Sequence, residues 1–487
     1  MNDTLWLVLD VGSSGVKAAL MDDGGGIVIT ADAPYSTFSA EGGVVEQDAD
    51  AWWKAVIDAC HHLGHDRAKV GAVNVTGQMQ DLVMLDAAGA PVHPVILYSD
   101  TRAKHEAAEI HARFGPHRLR ALTANSQGAD ALYAKLLWVQ RHDPDVMMRT
   151  QIVLFGGADA VCYRLTGAAT CDTTTASTTG IFDIRARRWF DSPLLAAVGI
   201  EAWASRLPTV VAGGAVVGTV SADAAAALGI PAGIPVHHAP GDAGATTLGA
   251  GSGEIGRAYA YAGTSGWVGF SAETPGSPDH GVFTLAHPRA GRYMHAAPLL
   301  TAGGNLDWAM SVFDAHDYAA SIDAALNGPI TGVTFLPYLN GERAPFVDPL
   351  ARAAFIGISP SVGRADLIRA VLEGVVFGYR HVLDALMAEP LERLILTGGA
   401  TRSGAWCQLF ADILGVPIVL IDGAEHASLR GAMLSSQVAR GSRADYTLSL
   451  PERSVYAPDR QHAAQYDRKY TVYRAAYPAL KPLFGMG

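Results

Sequence analysis

An aspartate stands inside a small-residue turn, Pro240-Gly241-Asp242-Ala243-Gly244. A short apolar strand from Val236 leads into it, and the Ala, Gly and Thr residues as far as Ala250 read as a helix. Nothing bulky separates such a carboxylate from a ligand, and a helix N-terminus adds N–H donors and a positive dipole end. Asp242 can therefore lie against a ligand beside phosphate; its plainer role is an Asx-turn that caps the helix. A second aspartate, Asp10, lies near the end of the apolar run Leu5–Val11, just before Gly12-Ser13-Ser14-Gly15. It too has a plain role, as a turn former, and a chemical one, orienting metal-bound water next to phosphate. A matching turn, Gly263-Thr264-Ser265-Gly266, separates the apolar segments Tyr259–Ala262 and Trp267–Ser271. Both turns offer backbone N–H and hydroxyl donors with no cationic side chain, which suits phosphate oxygens already paired with a metal.

These residues need strands to carry them. Leu5–Val11, Val16–Met21 and Ile27–Ala33 read as strands joined by tight turns. The order strand, Gly-hydroxyl-hydroxyl-Gly, strand recurs around Gly263. A further echo pairs Val70–Val75 followed by Thr76-Gly77 with Leu391–Leu396 followed by Thr397-Gly398-Gly399. Repeated units of this kind predict a duplicated domain with a ligand between facing turns. The Val70–Val75 strand delivers Gln78, Met79, Gln80 and Asp81 to a loop, and Gln and Asp side chains provide the donors and acceptors that read neutral hydroxyls. In the second half, Gly303 and Gly304 open a helix and permit close approach to a nucleotide. A strand then delivers Gly399, Ala400 and Ser403 to another helix start, an element suited to adenosine.

Composition narrows the classes. The 487 residues carry a net charge of -11 and no Lys/Arg cluster, which argues against a nucleic-acid surface. No apolar run approaches the roughly 20 residues of a membrane helix. Met1–Asp10 contains no Lys or Arg and does not read as a signal peptide, so a cytoplasmic location is expected. Four cysteines, Cys60, Cys162, Cys171 and Cys407, show no CxxC spacing and read as reduced structural thiols. His61 and His65 have metal-ligand spacing, but Gly64 is expected to end the helix between them. Gly251–Gly256 satisfies GxGxxG, yet it follows a helix and opens a strand, the reverse of a dinucleotide site. The Thr/Ser-rich stretch from Gly167 to Phe190 reads as hairpin or loop without evident chemistry, and Gly213–Pro235 as an approach to the domain junction. The oligomeric state is not fixed by sequence, and a homodimer stays open.

Six blocks, LVLDVGSSGVKAALMD, GQM, APGDAGATTLGAG, YAGTSG, FLPYLNGERAPFVDP and LTGGATRSGAWCQLFADILG, occur in the order of the FGGY carbohydrate kinases and most resemble the xylulokinase members. The resemblance spans Leu5 to about Lys481. It implies two α/β domains of the actin-like ATPase (ribonuclease H-like) architecture, each on a five-stranded sheet, with the active site in a cleft between them. The expected division is 1–251 for sugar, phosphate and the catalytic aspartate, and 252–487 for nucleotide. It further implies ATP-dependent phosphorylation of a ketopentose, D-xylulose to D-xylulose 5-phosphate, with ATP and Mg2+. The alternatives are another ketose or polyol, or a non-catalytic sugar-binding regulator. By the resemblance Asp242 is the base and Asp10 the magnesium-site residue, both near the metal. Gln78, Met79, Gln80 and Asp242 meet the sugar, while Ser13, Ser14, Gly263, Thr264, Ser265, Gly303, Gly399, Ala400 and Ser403 meet the nucleotide. Gln80 departs from the usual His, Leu132 replaces a small hydroxyl residue, and Asp130 occupies a variable substrate-facing position.

Overall fold

A computed structural model describes residues 4–126, 128–387 and 390–486. The chain divides into two compact units that interleave along the sequence. The first comprises Met1–Gly249, Thr284–Met294 and Glu425–Tyr446; the second comprises Ala250–Phe283, His295–Ala424 and Thr447–Gly487.

In the first unit the apolar run Leu5–Val11 becomes a central strand whose Leu7, Val8 and Leu9 are fully buried. Burial of successive residues means that both faces of the sheet are covered, the pattern of a sheet layered between helices. The strand pairs antiparallel with Gly15–Met21 and parallel with Val70–Gly77, which in turn pairs parallel with Pro235–His238. The full order is Ala215–Thr219, Pro235–His238, Val70–Gly77, Leu5–Val11, Gly15–Met21, Ile27–Pro34. This sheet has six strands where the resemblance implies five. The extra edge strand, Ala215–Thr219, folds back antiparallel on Pro235–His238, within the stretch expected to be a junction. Helix Ala49–His62 covers one face through Trp52, Val56 and Cys60, and Asp48 caps it by accepting from Asp50 N–H.

Gln78 alone separates strand Val70–Gly77 from strand Met79–Leu85, where the chain leaves the central sheet for a second one. That second sheet and helices Lys104–Phe114 and Leu132–His142 enclose a separate apolar cluster containing Leu82, Ile110, Leu136 and Trp203.

The second unit repeats the plan. Ala258–Ala262 pairs antiparallel with Gly266–Ala272 and parallel with Leu394–Thr397, which pairs parallel with Ile418–Ile421. The four-strand pattern is that of Pro235–His238, Val70–Gly77, Leu5–Val11 and Gly15–Met21, so the sequence echo is a structural one. Helix Arg364–Leu386 is buried on most of its circumference, as its excess of apolar positions requires. Among the described residues no helix is long and apolar enough to cross a membrane.

Candidate functional site

Three neighbouring parallel strands of the first unit end side by side. Asp10 lies opposite Thr76 in the register, and His238 opposite Val75. Asp10, the Gln78 loop and the Pro240-Gly241-Asp242 turn therefore leave the carboxyl edge of one sheet together, the edge where open α/β sheets bind ligands. The Thr76 hydroxyl donates to the Pro240 carbonyl at 2.6 Å and ties two of these exits to each other.

Asp242 is the first residue of helix Asp242–Thr247, with Gly241 rather than Asp242 at the cap position. Its Oδ1 accepts from the next residue, Ala243 N–H, at 2.6 Å. The expected helix to Ala250 stops short as an α-helix, because residues Leu248–Ser252 widen into a π-turn. Asp242 keeps partial solvent access, yet protein surrounds it closely enough that burial pushes its carboxyl up to about 7. The Asp10 charge and then that of Asp172 push in the same direction, against the Ala243 bond.

Asp10 is also raised above the ordinary carboxylate range by burial, against the Ser428 hydroxyl bond and the Lys17 charge. Its Oδ1 is buried without a hydrogen-bond partner among the described residues. Asp10, whose charge raises Asp242 and whose Oδ1 is orphaned, forms with Asp242 a donor set fit for a hard divalent cation.

The sugar-loop candidates fall into distinct surroundings. Gln78 is almost fully buried; its Nε2 donates to Gln47 Oε1 at 3.0 Å, and Gln47 in turn donates to the Ser13 carbonyl at 2.8 Å. This network fixes the Ser13-Ser14 turn from behind. Met79 packs on Gly241, where any Cβ would collide with its side chain. Gln80 adopts φ 66°, a left-handed backbone rare for a side-chain residue. Its Nε2 donates to Asp130 Oδ2 at 3.0 Å, so the departing Gln80 is bonded to the residue at the variable substrate-facing position. Behind them Asp81 is fully buried and accepts from Tyr98 N–H, while the buried Lys135 donates to the Leu97 carbonyl. Burial pulls Lys135 down to about 8 against the pull of Asp81.

In the second unit a cleft of about 710 Å³ is lined by Gly263, Thr264, Gly303, Gly399, Ala400 and Ser403. That volume suits a nucleotide-sized ligand. Ser265 is not part of the lining; its carbonyl closes the turn by accepting from Gly263 N–H at 3.0 Å. Close backbone approach explains Gly303, where a Cβ would lie 2.7 Å from the Gly263 carbonyl oxygen. Ser403 caps helix Gly404–Leu414 by accepting from Trp406 N–H. The sequence reading missed Asp307, Tyr318 and Asp323, which line the same cleft from two helices. Tyr318 OH donates to Asp307 Oδ1 at 2.9 Å. Nothing in the sequence tells a cleft-facing acid on these helices from a solvated one.

The stretch from Gly167 to Phe190 does hold the expected hairpin, Phe182–Asp183 with Arg188–Trp189. The reading that it lacks chemistry needs correction. Asp172 is buried with Asp159 and His238, one ligand atom of each lying within 4.8 Å of the others. His238 Nε2 stands 3.1 Å from Asp159 Oδ1, and Asp172 accepts from Thr174 N–H at 2.7 Å. Burial alone would lower the His238 pKa, but Asp159 and Asp172 outweigh it and raise it. A His in an apolar strand four residues before Asp242 was the available signal. His61 and His65, by contrast, lie on separate helices with Gly64 at φ 76° between them.

Two α/β units on matching sheets, one with a glycine-lined cleft of nucleotide size and one with two aspartates at its strand ends, define a phosphotransferase of the actin-like ATPase fold. The sequence matches both profiles of the FGGY family of carbohydrate kinases, the N-terminal domain over residues 5–249 and the C-terminal domain over 258–439. The chain belongs to this family and is an ATP-dependent sugar kinase. It is 31% identical over 495 residues to the xylulose kinase of Escherichia coli (strain K12), covering 98% of this chain and 100% of that protein. It superposes on the xylulose kinase of Rhodospirillum rubrum with a TM-score of 0.89 at 28% identity, covering 99% and 100% of the two chains. The gluconate kinase of Lactobacillus acidophilus fits as well, with a TM-score of 0.88 at 26% identity and the same coverage.

Proposed function

We propose that this chain phosphorylates a ketopentose, converting D-xylulose and ATP to D-xylulose 5-phosphate and ADP, as a cytoplasmic enzyme. The observation that carries the reading is Asp242, at a strand end beside Asp10, with its carboxyl held at about 7. A general base works best with a pKa near the operating pH. The naming of full-length relatives as xylulose kinases supports the substrate. Functionally we draw the division near Ser252, with sugar and base before it and nucleotide after it. Asp242 takes the proton of the attacking hydroxyl, a role worth about 10²–10⁴-fold. Met79 and Gln80 orient the sugar, and Gln78 acts with them at the loop's base. The nucleotide is held by Gly263, Thr264, Gly303, Gly399, Ala400 and Ser403, with Ser265 closing the turn that carries Gly263 and phosphate contacts from Ser13 and Ser14.

Asp10 and Asp242 would hold Mg2+, which the orphaned Asp10 oxygen and the unbalanced charge of the pair support. Bound there, the ion would offset charge on the transferring phosphoryl group.

A second reading, another ketose or polyol, is favoured by one observation: the Gln80–Asp130 bond occupies the Gln80 amide donor at the variable end of the sugar loop. The test is ADP release across D-xylulose, D-ribulose, L-xylulose, L-ribulose, gluconate, glycerol and the matching pentitols. D-xylulose should have the highest kcat/KM. A preferred substrate elsewhere in the panel replaces the sugar, and no ADP release with any of them overturns the kinase reading.

A further inference from the structure

Asp10 is held by a residue 418 positions away. Ser428, in the first turn of helix Ala427–Ala439, donates its hydroxyl to Asp10 Oδ2 at 2.5 Å. Ser428 is the second residue of that helix, past the cap position held by His426, and the helix has no side-chain cap bond. The Ser428 hydroxyl is thus committed to the aspartate. Ser428 is only 8% exposed, so water competes little for that bond.

The carrier helix is itself immobilised. It crosses the helix that begins at Asp242, and two glycines let the backbones touch. A Cβ on Gly431 would collide with the Ala245 carbonyl, and one on Gly249 with the Ala427 carbonyl. One crossing therefore sets both the start of the Asp242 helix and the position of the Ser428 hydroxyl. On the other side of the strand, Lys17 lies opposite Asp10 in the register, and its Nζ donates to the Glu425 carbonyl at 3.0 Å. The lysine is thereby drawn toward the same helix end, without a hydrogen bond to Asp10.

A carboxylate pinned through one oxygen cannot rotate freely, so the direction of its other oxygen is fixed. Asp10 Oδ1 is that other oxygen, buried and without a partner among the described residues. We propose that Ser428 is a positioning residue: it pins Asp10 Oδ2 so that Oδ1 is presented to a divalent cation, and in doing so sets the affinity for that cation. This inference rests on the reading of Asp10 as a cation ligand. Loss of a hydrogen-bond partner behind a metal ligand typically costs about 10–100-fold in affinity.

The experiment titrates Mn2+ alone into nucleotide-free protein and counts the unbound ion by its EPR signal. Ser428→Ala should weaken binding by about tenfold or more, Ser428→Thr should stay within about threefold of wild type, and Asp10→Ala should remove the site. In turnover, Ser428→Ala should raise the Mg2+ concentration for half-maximal rate by a similar factor and leave the sugar KM within about twofold. Equal Mn2+ affinity in wild type and Ser428→Ala, with binding lost in Asp10→Ala, overturns the Ser428 role and leaves Asp10 intact. Ser428→Thr as weak as Ser428→Ala overturns it also, because the hydroxyl is then irrelevant. Mn2+ binding that survives Asp10→Ala overturns the Asp10 reading itself, and the inference with it.

Discussion

Asp242→Asn should make the protein more stable while stopping its chemistry. Asn keeps the shape of the side chain but carries no charge. In the wild type, burial and the Asp10 charge move the carboxyl from 3.8 to about 7, so the folded state opposes its ionisation. A carboxyl whose pKa is raised by folding contributes stability below its unfolded pKa and loses it as pH rises through the folded value. The loss therefore begins near pH 4, grows, and levels off above about pH 7. At about 1.36 kcal/mol per unit the full shift is roughly 4 kcal/mol, and the partial solvent access of Asp242 reduces it to about 2 kcal/mol. For a unit of this size that is a rise of about 4–6 °C in Tm for the variant at pH 8, shrinking toward zero at pH 4. The assay is thermal unfolding in magnesium-free buffer across this pH range, paired with ADP release at saturating sugar. Turnover should fall at least about 100-fold. A variant equally stable or less stable at pH 8 contradicts the strained-carboxylate argument. Turnover within about tenfold of wild type contradicts the base assignment.

Asp10→Ala should raise the Mg2+ requirement of turnover far more than the sugar KM, and unchanged kinetics at low Mg2+ would reduce Asp10 to a turn residue. Gln80→His breaks the bond to Asp130 and should change the ranking of ketose epimers without changing the reaction; the same sugar panel on both proteins checks it, and an unchanged ranking removes Gln80 from the specificity account. Gly431→Ala drives a methyl into the Ala245 carbonyl and should destabilise the first unit by about 1–3 kcal/mol or more, read by denaturant unfolding. Wild-type stability in that variant would mean that the two helices part without cost.

The repeated strand–turn–strand units were legible because apolar runs ending in Gly and hydroxyl residues have few other structural meanings. From that pattern alone Asp10, the Gln78 loop and Asp242 could be assigned to strand ends. The parallel register that sets those ends beside one another is a long-range property, and local sequence does not encode it. Ser428 illustrates the limit. Its neighbours Ala427-Ser428-Leu429-Arg430-Gly431 read as an ordinary helix start, and only the crossing at Gly249 and Gly431 brings the hydroxyl to Asp10. Asp172 was hidden for another reason. A Thr-rich setting resembles solvated loop, whereas here the threonine N–H groups are turned inward to satisfy a buried carboxylate. The sixth strand, Ala215–Thr219, was obscured by the glycines around it, which suggest a linker more strongly than an edge.

Transfer of a phosphoryl group from ATP to a sugar hydroxyl is read off the chemical identity of the product. D-xylulose, ATP and Mg2+ incubated with the enzyme should yield equimolar ADP and a single sugar phosphate, whose phosphorus couples to the protons on C5 in a 31P–1H correlation spectrum. Consumption of ATP to inorganic phosphate with no sugar ester, or an ester at another carbon, would contradict the account.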